Sequence, residues 1–151
     1  MMSETPPRIE GLLESSLYVE QLDRSRRFYE ELFGFTTLFA DDRMVALEVP
    51  GRQVLLLFRV GKSTTIELPD GSLPGHDGEG RLHFALAIER ASLDGWRRRL
   101  EAAGVAIELE KQWPRGGVSL YFRDPDGHLG ELATPGLWWP LETRSPPVEG
   151  A

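Results

Sequence analysis

The sequence predicts an α+β fold of two βαβββ modules. Three observations carry this expectation. Short runs alternate apolar and polar residues at the strand period. Two segments repeat apolar residues at helical spacing, and each is closed by a glycine. The order of elements also recurs. Residues 14–19 overlay 83–88 at an offset of 69, Gly34 overlays Gly104 at 70, and the turn Pro50-Gly51 overlays Pro125…Gly127 at 75 to 76.

Residues 1–8, with two prolines, read as a disordered tail. The first module covers residues 9–60. It opens with a strand over 13–19. Asp23 reads as the N-cap of a helix over 24–33, because its side chain can accept from the free amides of a first turn. In that helix Phe28 and Leu32 share a face, with Arg27 and Glu31 paired nearby. Strands follow at 35–40, 44–49 and 54–58, the last two joined by Pro50-Gly51. Residues 61–80 hold five glycines and two prolines and read as a linker or mobile loop. The second module covers 81–136. A strand over 82–88 leads to Ser92 as N-cap, then to Leu93, Trp96, Leu100 and Ala103 at helical spacing. Strands at 107–111, 119–123 and 129–133 complete it, the last two joined by Asp124-Pro125-Asp126-Gly127. Residues 137–151 read as a C-terminal extension.

The composition narrows the chemistry. The 151 residues include no cysteine and three histidines, and the net charge is −7. Disulfides, thiolate zinc sites, Fe–S clusters and cysteine nucleophiles are excluded. The acidic balance argues against nucleic acid, whose phosphates require a basic face. The longest apolar run, residues 54–58, is far short of the ~20 needed to span a membrane. The N-terminus lacks the pattern of a signal peptide, so a cytoplasmic protein is expected. Any metal must be held largely by carboxylates.

Strand alternation sorts the candidate residues. Leu17 and Val19 oppose Glu14, Ser16 and Tyr18. Phe84, Leu86 and Ile88 oppose His83, Ala85 and Ala87. Leu120 and Phe122 oppose Ser119, Tyr121 and Arg123, and Leu132 opposes Glu131. The first set covers the helices; the second lines a concave, polar face. Glu14 and His83 hold equivalent repeat positions, so a pseudo-twofold brings them together. Glu131 lies on the strand expected beside that of His83. One imidazole and two carboxylates make a facial set for Mn²⁺, Fe²⁺, Ni²⁺ or Zn²⁺, with about three positions open. The first-module counterpart of Glu131 reads as Leu55, or Leu57 if loop lengths differ, so a fourth ligand is missing. Glu14 or Glu131 could move a proton, and Tyr121 could donate to a metal-bound oxyanion. Tyr18, Ser119 and Arg123 line the cavity, and Arg115 sits on a loop suited to clamp an anionic substrate. His128 is assigned to the turn and His76 to a solvated loop. Trp138 and Trp139 are expected to cover a sheet end, a subunit interface or the cavity mouth.

Two stretches carry a family resemblance. They are Leu17-Tyr18-Val19, Leu22-Asp23-Arg24-Ser25, Phe28-Tyr29 and Leu32-Phe33-Gly34, and then the run from Gly116 to Leu132. Across residues 12–136 the sequence resembles the vicinal-oxygen-chelate superfamily of glyoxalases, extradiol dioxygenases, and fosfomycin- and bleomycin-resistance proteins. The resemblance implies a curved mixed sheet around a cavity that encloses a divalent metal. His83 and Glu131 match the usual ligands, while Glu14 stands where many members have histidine. That departure weakens a two-histidine dioxygenase reading, and leucine in place of the first-module glutamate weakens a true glyoxalase I. The expected function is a metal-dependent enzyme that chelates a small oxygen-rich substrate and stabilises an enolate or alkoxide. The alternatives are a metal-free sequestering protein of the bleomycin-resistance type and a scaffold without a ligand. A homodimer is expected, because members cover sheet edges by association.

Overall fold

The computed structural model describes residues 5–140. The expectations for residues 1–4 and 141–151 lie outside them. The first module comprises β1 (Glu14–Val19), α1 (Leu22–Phe33), β2 (Thr36–Ala40), β3 (Met44–Val49) and β4 (Gln53–Arg59). A short hairpin follows, β5 (Ile66–Leu68) and β6 (Gly71–Leu73). The second module comprises β7 (His83–Ala87), α2 (Leu93–Ala102), β8 (Leu109–Gln112), β9 (Val118–Arg123) and β10 (Leu129–Ala133), with a single 3₁₀ turn before α2.

The two modules share one topology. The strand orders are β1-β4-β3-β2 and β7-β10-β9-β8, with the first and last strands of each module parallel and the others antiparallel. The α+β expectation and its repeat are therefore met. Two local expectations are not. The segment 61–80 is no plain linker, because it folds into the β5–β6 hairpin. Helix α1 begins at Leu22 with Gln21 as N-cap and no side-chain cap, so Asp23 lies in the first turn. The reason is tertiary. Asp126, from the second module, occupies this helix end, accepting from the Glu20 N–H at 2.9 Å and the Ser25 hydroxyl at 3.0 Å. A carboxylate there also meets the positive end of the helix dipole. The C-terminus behaves as expected: Gly34 takes φ 72° and its N–H closes on the Glu30 carbonyl.

Helix α1 packs between the sheets. Leu17, Val19, Tyr29, Leu47 and Leu57 form a core to which Phe84 and Leu86 of β7 also contribute. Leu32, Leu100, Leu120, Phe122 and Leu132 form a second core, flanked by Phe28 and Phe33 of α1. The helix-facing sides of both sheets thus point inward, and the opposite sides, called the open faces below, turn away from α1; that of the first sheet is partly covered by the 61–80 segment. On the open side of the first sheet lie Ala46, Leu56 and Phe58, with Tyr18 beside them.

Strand register corrects one assignment. Glu14 pairs with Val54 and Ser16 with Leu56, just as His83 pairs with Leu129 and Ala85 with Glu131. The counterpart of Glu131 is therefore Leu56. Leu55 and Leu57 face the helix core instead. A shift of one residue exchanges faces, and loop length alone could not settle it.

Candidate metal centre

The open face of the second sheet gathers His83, Tyr121 and Glu131, because residues of one parity on adjacent strands share a side. His83 opens β7. Glu131 lies two positions along β10 from the partner of His83, and Tyr121 sits directly across from it on β9. His83 Nε2 lies 3.3 Å from Glu131 Oε2. The imidazole is half exposed, at 51%, whereas the Glu131 side chain is 5% exposed.

One hydrogen bond fixes which ring nitrogen faces Glu131. Nδ1 of His83 is 2.8 Å from the Leu129 carbonyl. A carbonyl can only accept, so Nδ1 carries a hydrogen, and Nε2 is the ring atom turned to the Glu131 carboxylate. A proton on Nε2, making an imidazolium–carboxylate pair, or a cation held between the two groups meets this spacing. A divalent cation satisfies both, and imidazole with carboxylate suits Mn²⁺, Fe²⁺, Ni²⁺ or Zn²⁺. The donor set present therefore fits such an ion.

Glu131 is held from behind. The Ser119 hydroxyl donates to Oε1 at 2.5 Å, and the Trp113 indole N–H donates to Ser119 Oγ at 2.8 Å. This aims the second oxygen at His83. Burial first, and then the charge of Glu131, raise the Tyr121 hydroxyl above its ordinary range. Tyr121 thus keeps its proton and acts as a donor. A cavity of about 480 Å³ opens beside these groups, lined by Lys111, Trp113, Tyr121, Arg123 and Leu129.

Other expected site residues have different surroundings. Ser119, nominated as a substrate contact, is fully buried, and its hydroxyl serves Glu131. Arg123 forks onto Glu108 at 2.7 and 3.2 Å and also donates to the Gly127 carbonyl. Arg115 donates to the Trp138 carbonyl at 2.8 Å. Arg123 is thereby committed to a carboxylate, whereas Arg115 makes one hydrogen bond to a carbonyl and no ion pair among the described residues. Trp138 and Trp139 are 75% and 69% exposed, so they do not close a sheet end within the chain. Glu14 does not join His83 and Glu131: among the described residues, no group of three or more His, Cys, Asp or Glu could hold a metal ion. The back-to-back packing of the sheets on α1 sends the open faces apart, and this overrides the pseudo-twofold expectation.

Two histidines differ from their expected settings. His128 is not merely a turn residue; it is 1% exposed. Its Nδ1 accepts from the Leu82 N–H at 2.9 Å, which leaves Nε2–H to donate to the Tyr18 carbonyl at 2.7 Å. His76 is half-buried, with Nδ1 2.7 Å from the Tyr18 hydroxyl. The sequence reading missed these contacts and the support from Trp113. The Trp113–Ser119 pair had one signal, since the two residues flank the Pro114–Gly117 turn. The histidine contacts had none, because their partners are remote in the chain.

Comparison with known proteins places these features in context. The Glyoxalase/Bleomycin resistance protein/Dioxygenase superfamily matches residues 11–132. The chain is 28% identical over 128 residues to the metallothiol transferase FosB of Shouchella clausii, covering 83% of this chain and 81% of that protein. It is 31% identical over 119 residues to the catechol-2,3-dioxygenase of Bacillus subtilis, covering 78% of this chain but 39% of that enzyme. The structure of a lactoylglutathione lyase from Agrobacterium tumefaciens superposes with a TM-score of 0.79 at 32% identity, covering 89% of this chain and 98% of that one.

Proposed function

The chain belongs to the Glyoxalase/Bleomycin resistance protein/Dioxygenase superfamily, and from that premise we propose that it is a divalent-metal-dependent enzyme acting on a small oxygen-rich substrate. The carrying observation is the meeting of two metal-ligating groups, His83 Nε2 and Glu131 Oε2, 3.3 Å apart. His83 and Glu131 would hold the ion, and the support of Glu131 by Ser119 and Trp113 sets its direction before binding. When bound, the ion supplies Lewis-acid polarisation of substrate oxygens. Tyr121, kept protonated, donates a hydrogen bond toward the substrate from the same face. The relatives' names, a metallothiol transferase and a lactoylglutathione lyase among them, support small-molecule chemistry of this kind.

The third ligand in this reading is Glu14 of the partner subunit in a homodimer. Glu14 is exposed on the open face of β1, at the repeat position of His83. The open face of the first module in one copy would cover that of the second module in the other. Leu12 and Leu13, each 68% exposed, and Leu109, 55% exposed, flank these faces and support association.

Metal analysis of the purified, reloaded protein tests the reading. About one divalent ion per chain is expected, lost in His83→Ala. A protein that holds no stoichiometric ion overturns it and leaves the sequestering alternative. Mixing Glu14→Ala with His83→Ala chains tests the shared ligand. Mixed dimers should regain one intact site of two, and a mixture as empty as its parents would refute the contribution of the partner subunit.

A further inference from the structure

A second cluster stands on the open face of the first sheet, outside the metal centre. The Tyr18 hydroxyl meets His76 Nδ1 at 2.7 Å. The His76 ring lies edge-on to Phe58, with centroids 4.4 Å apart. The Arg43 guanidinium lies over the same Phe58 ring, 5.5 Å from its centroid. Buried Ser63 ties these groups together. Its hydroxyl accepts from Arg43 Nη1 at 3.0 Å, and its carbonyl accepts from the His76 N–H at 2.8 Å.

The segment between the modules is shaped for this contact. A Cβ on Gly78 would stand 2.3 Å from the Tyr18 ring, and one on Gly75 would stand 2.1 Å from the Thr64 carbonyl oxygen. Only glycine lets the backbone approach so closely. His76 is therefore seated by design of the strap, not merely carried on a loop.

The Arg43 guanidinium is held over Phe58 and against buried Ser63 without forming an ion pair among the described residues. The remaining N–H groups of Arg43 and the Nε2 of His76 have no protein partner among those residues either. A guanidinium held over an aromatic ring, with donors to spare, is matched to a carboxylate or phosphate.

We propose that Arg43 and His76 form an oxyanion subsite for a carboxylate or phosphate group of the substrate. Arg43 supplies the charge. With the Tyr18 hydroxyl donating to Nδ1, His76 takes the tautomer that presents Nε2–H as a second donor. Tyr18 lies on the face of β1 that carries Glu14, about 13 Å farther along at ~3.3 Å per residue. In the proposed homodimer, where this face of one subunit covers the metal face of the other, the substrate would run from the metal toward this anchor. That part in turnover rests on the metal-enzyme reading; the binding of the anion does not.

The test uses chelated, metal-free protein titrated with inorganic phosphate and, separately, acetate. Calorimetry measures affinity, and the His76 imidazole resonances locate the site. Saturable binding that moves the His76 signals and leaves those of buried His128 in place is expected. Phosphate-only or acetate-only binding identifies the preferred oxyanion and supports the subsite equally. Arg43→Gln should weaken binding tenfold or more while metal stoichiometry stays unchanged. His76→Phe, which keeps a ring on Phe58, should also weaken binding and serves if Arg43→Gln does not fold. No saturable binding of either anion, or undiminished affinity in a folded variant, overturns the proposal. Loss of the metal reading alone would leave this titration intact.

Discussion

Removing the Ser119 hydroxyl probes the centre without touching a ligand. Glu131 is 4% exposed, and the Ser119 hydroxyl donates to its Oε1 at 2.5 Å. Ser119→Ala deletes that bond and takes the acceptor from the Trp113 indole N–H. A hydrogen bond to a charged group contributes about 1.5–3 kcal/mol. At ~1.4 kcal/mol per decade, that corresponds to about tenfold to a hundredfold in affinity if the bond serves to aim the ligand. Supporting groups around metal ligands have effects of this size. The assay is competition with a chromophoric chelator for Mn²⁺ or Zn²⁺ at fixed pH, with thermal unfolding as the check on folding. A folded Ser119→Ala protein that binds metal within about twofold of the parent would refute the reasoning, since one decade is the smallest effect expected.

Two further outcomes follow from the interior. A Cβ on Gly130 would lie 2.2 Å from Cζ of Phe122, whose ring is fully buried, so Gly130→Ala should cost about 1–3 kcal/mol by overpacking. Chemical denaturation measures this, and an unchanged midpoint would show that the ring moves freely. Burial first, and then the charge of Asp124, hold the Tyr29 hydroxyl well above its ordinary value. The unfolded chain gives up this proton first, so stability is present below about pH 10 and falls as pH rises through the folded value. Tyr29→Phe should lower stability at neutral pH by about 1.5–3 kcal/mol, through the lost 2.8 Å bond to Asp124. It should also flatten the alkaline decline, and parallel declines in parent and variant would exclude Tyr29 as the cause.

The parts of this architecture legible in the sequence are the local ones. Alternation exposed β1 and β9, glycine marked the end of α1, and the order of breakers revealed the repeat. His83 and Glu131 stood out as polar residues on a face otherwise kept small, and the structure brings them together because β7 and β10 are neighbours. What stayed hidden depended on distance and parity. Leu56 rather than Leu55 or Leu57 is a matter of one residue of register. The seat of His76 depends on a strap folding over Tyr18, which lies 58 residues earlier. The separation of Glu14 from His83 depends on α1 lying between the sheets, a packing choice that no local pattern encodes.

The buried ring of His128 bears on whether the two halves are separable. Repetition suggests two autonomous pieces that could be cut apart within 61–80 and folded alone. Yet one imidazole spans the backbone of Leu82 and the backbone of Tyr18, and both of its nitrogens are committed. Severing the halves would strand a polar ring in one fragment and uncover the face of α1 in the other. The duplication visible in the sequence is therefore one of pattern and not of independence, and the chain should melt as a single cooperative unit.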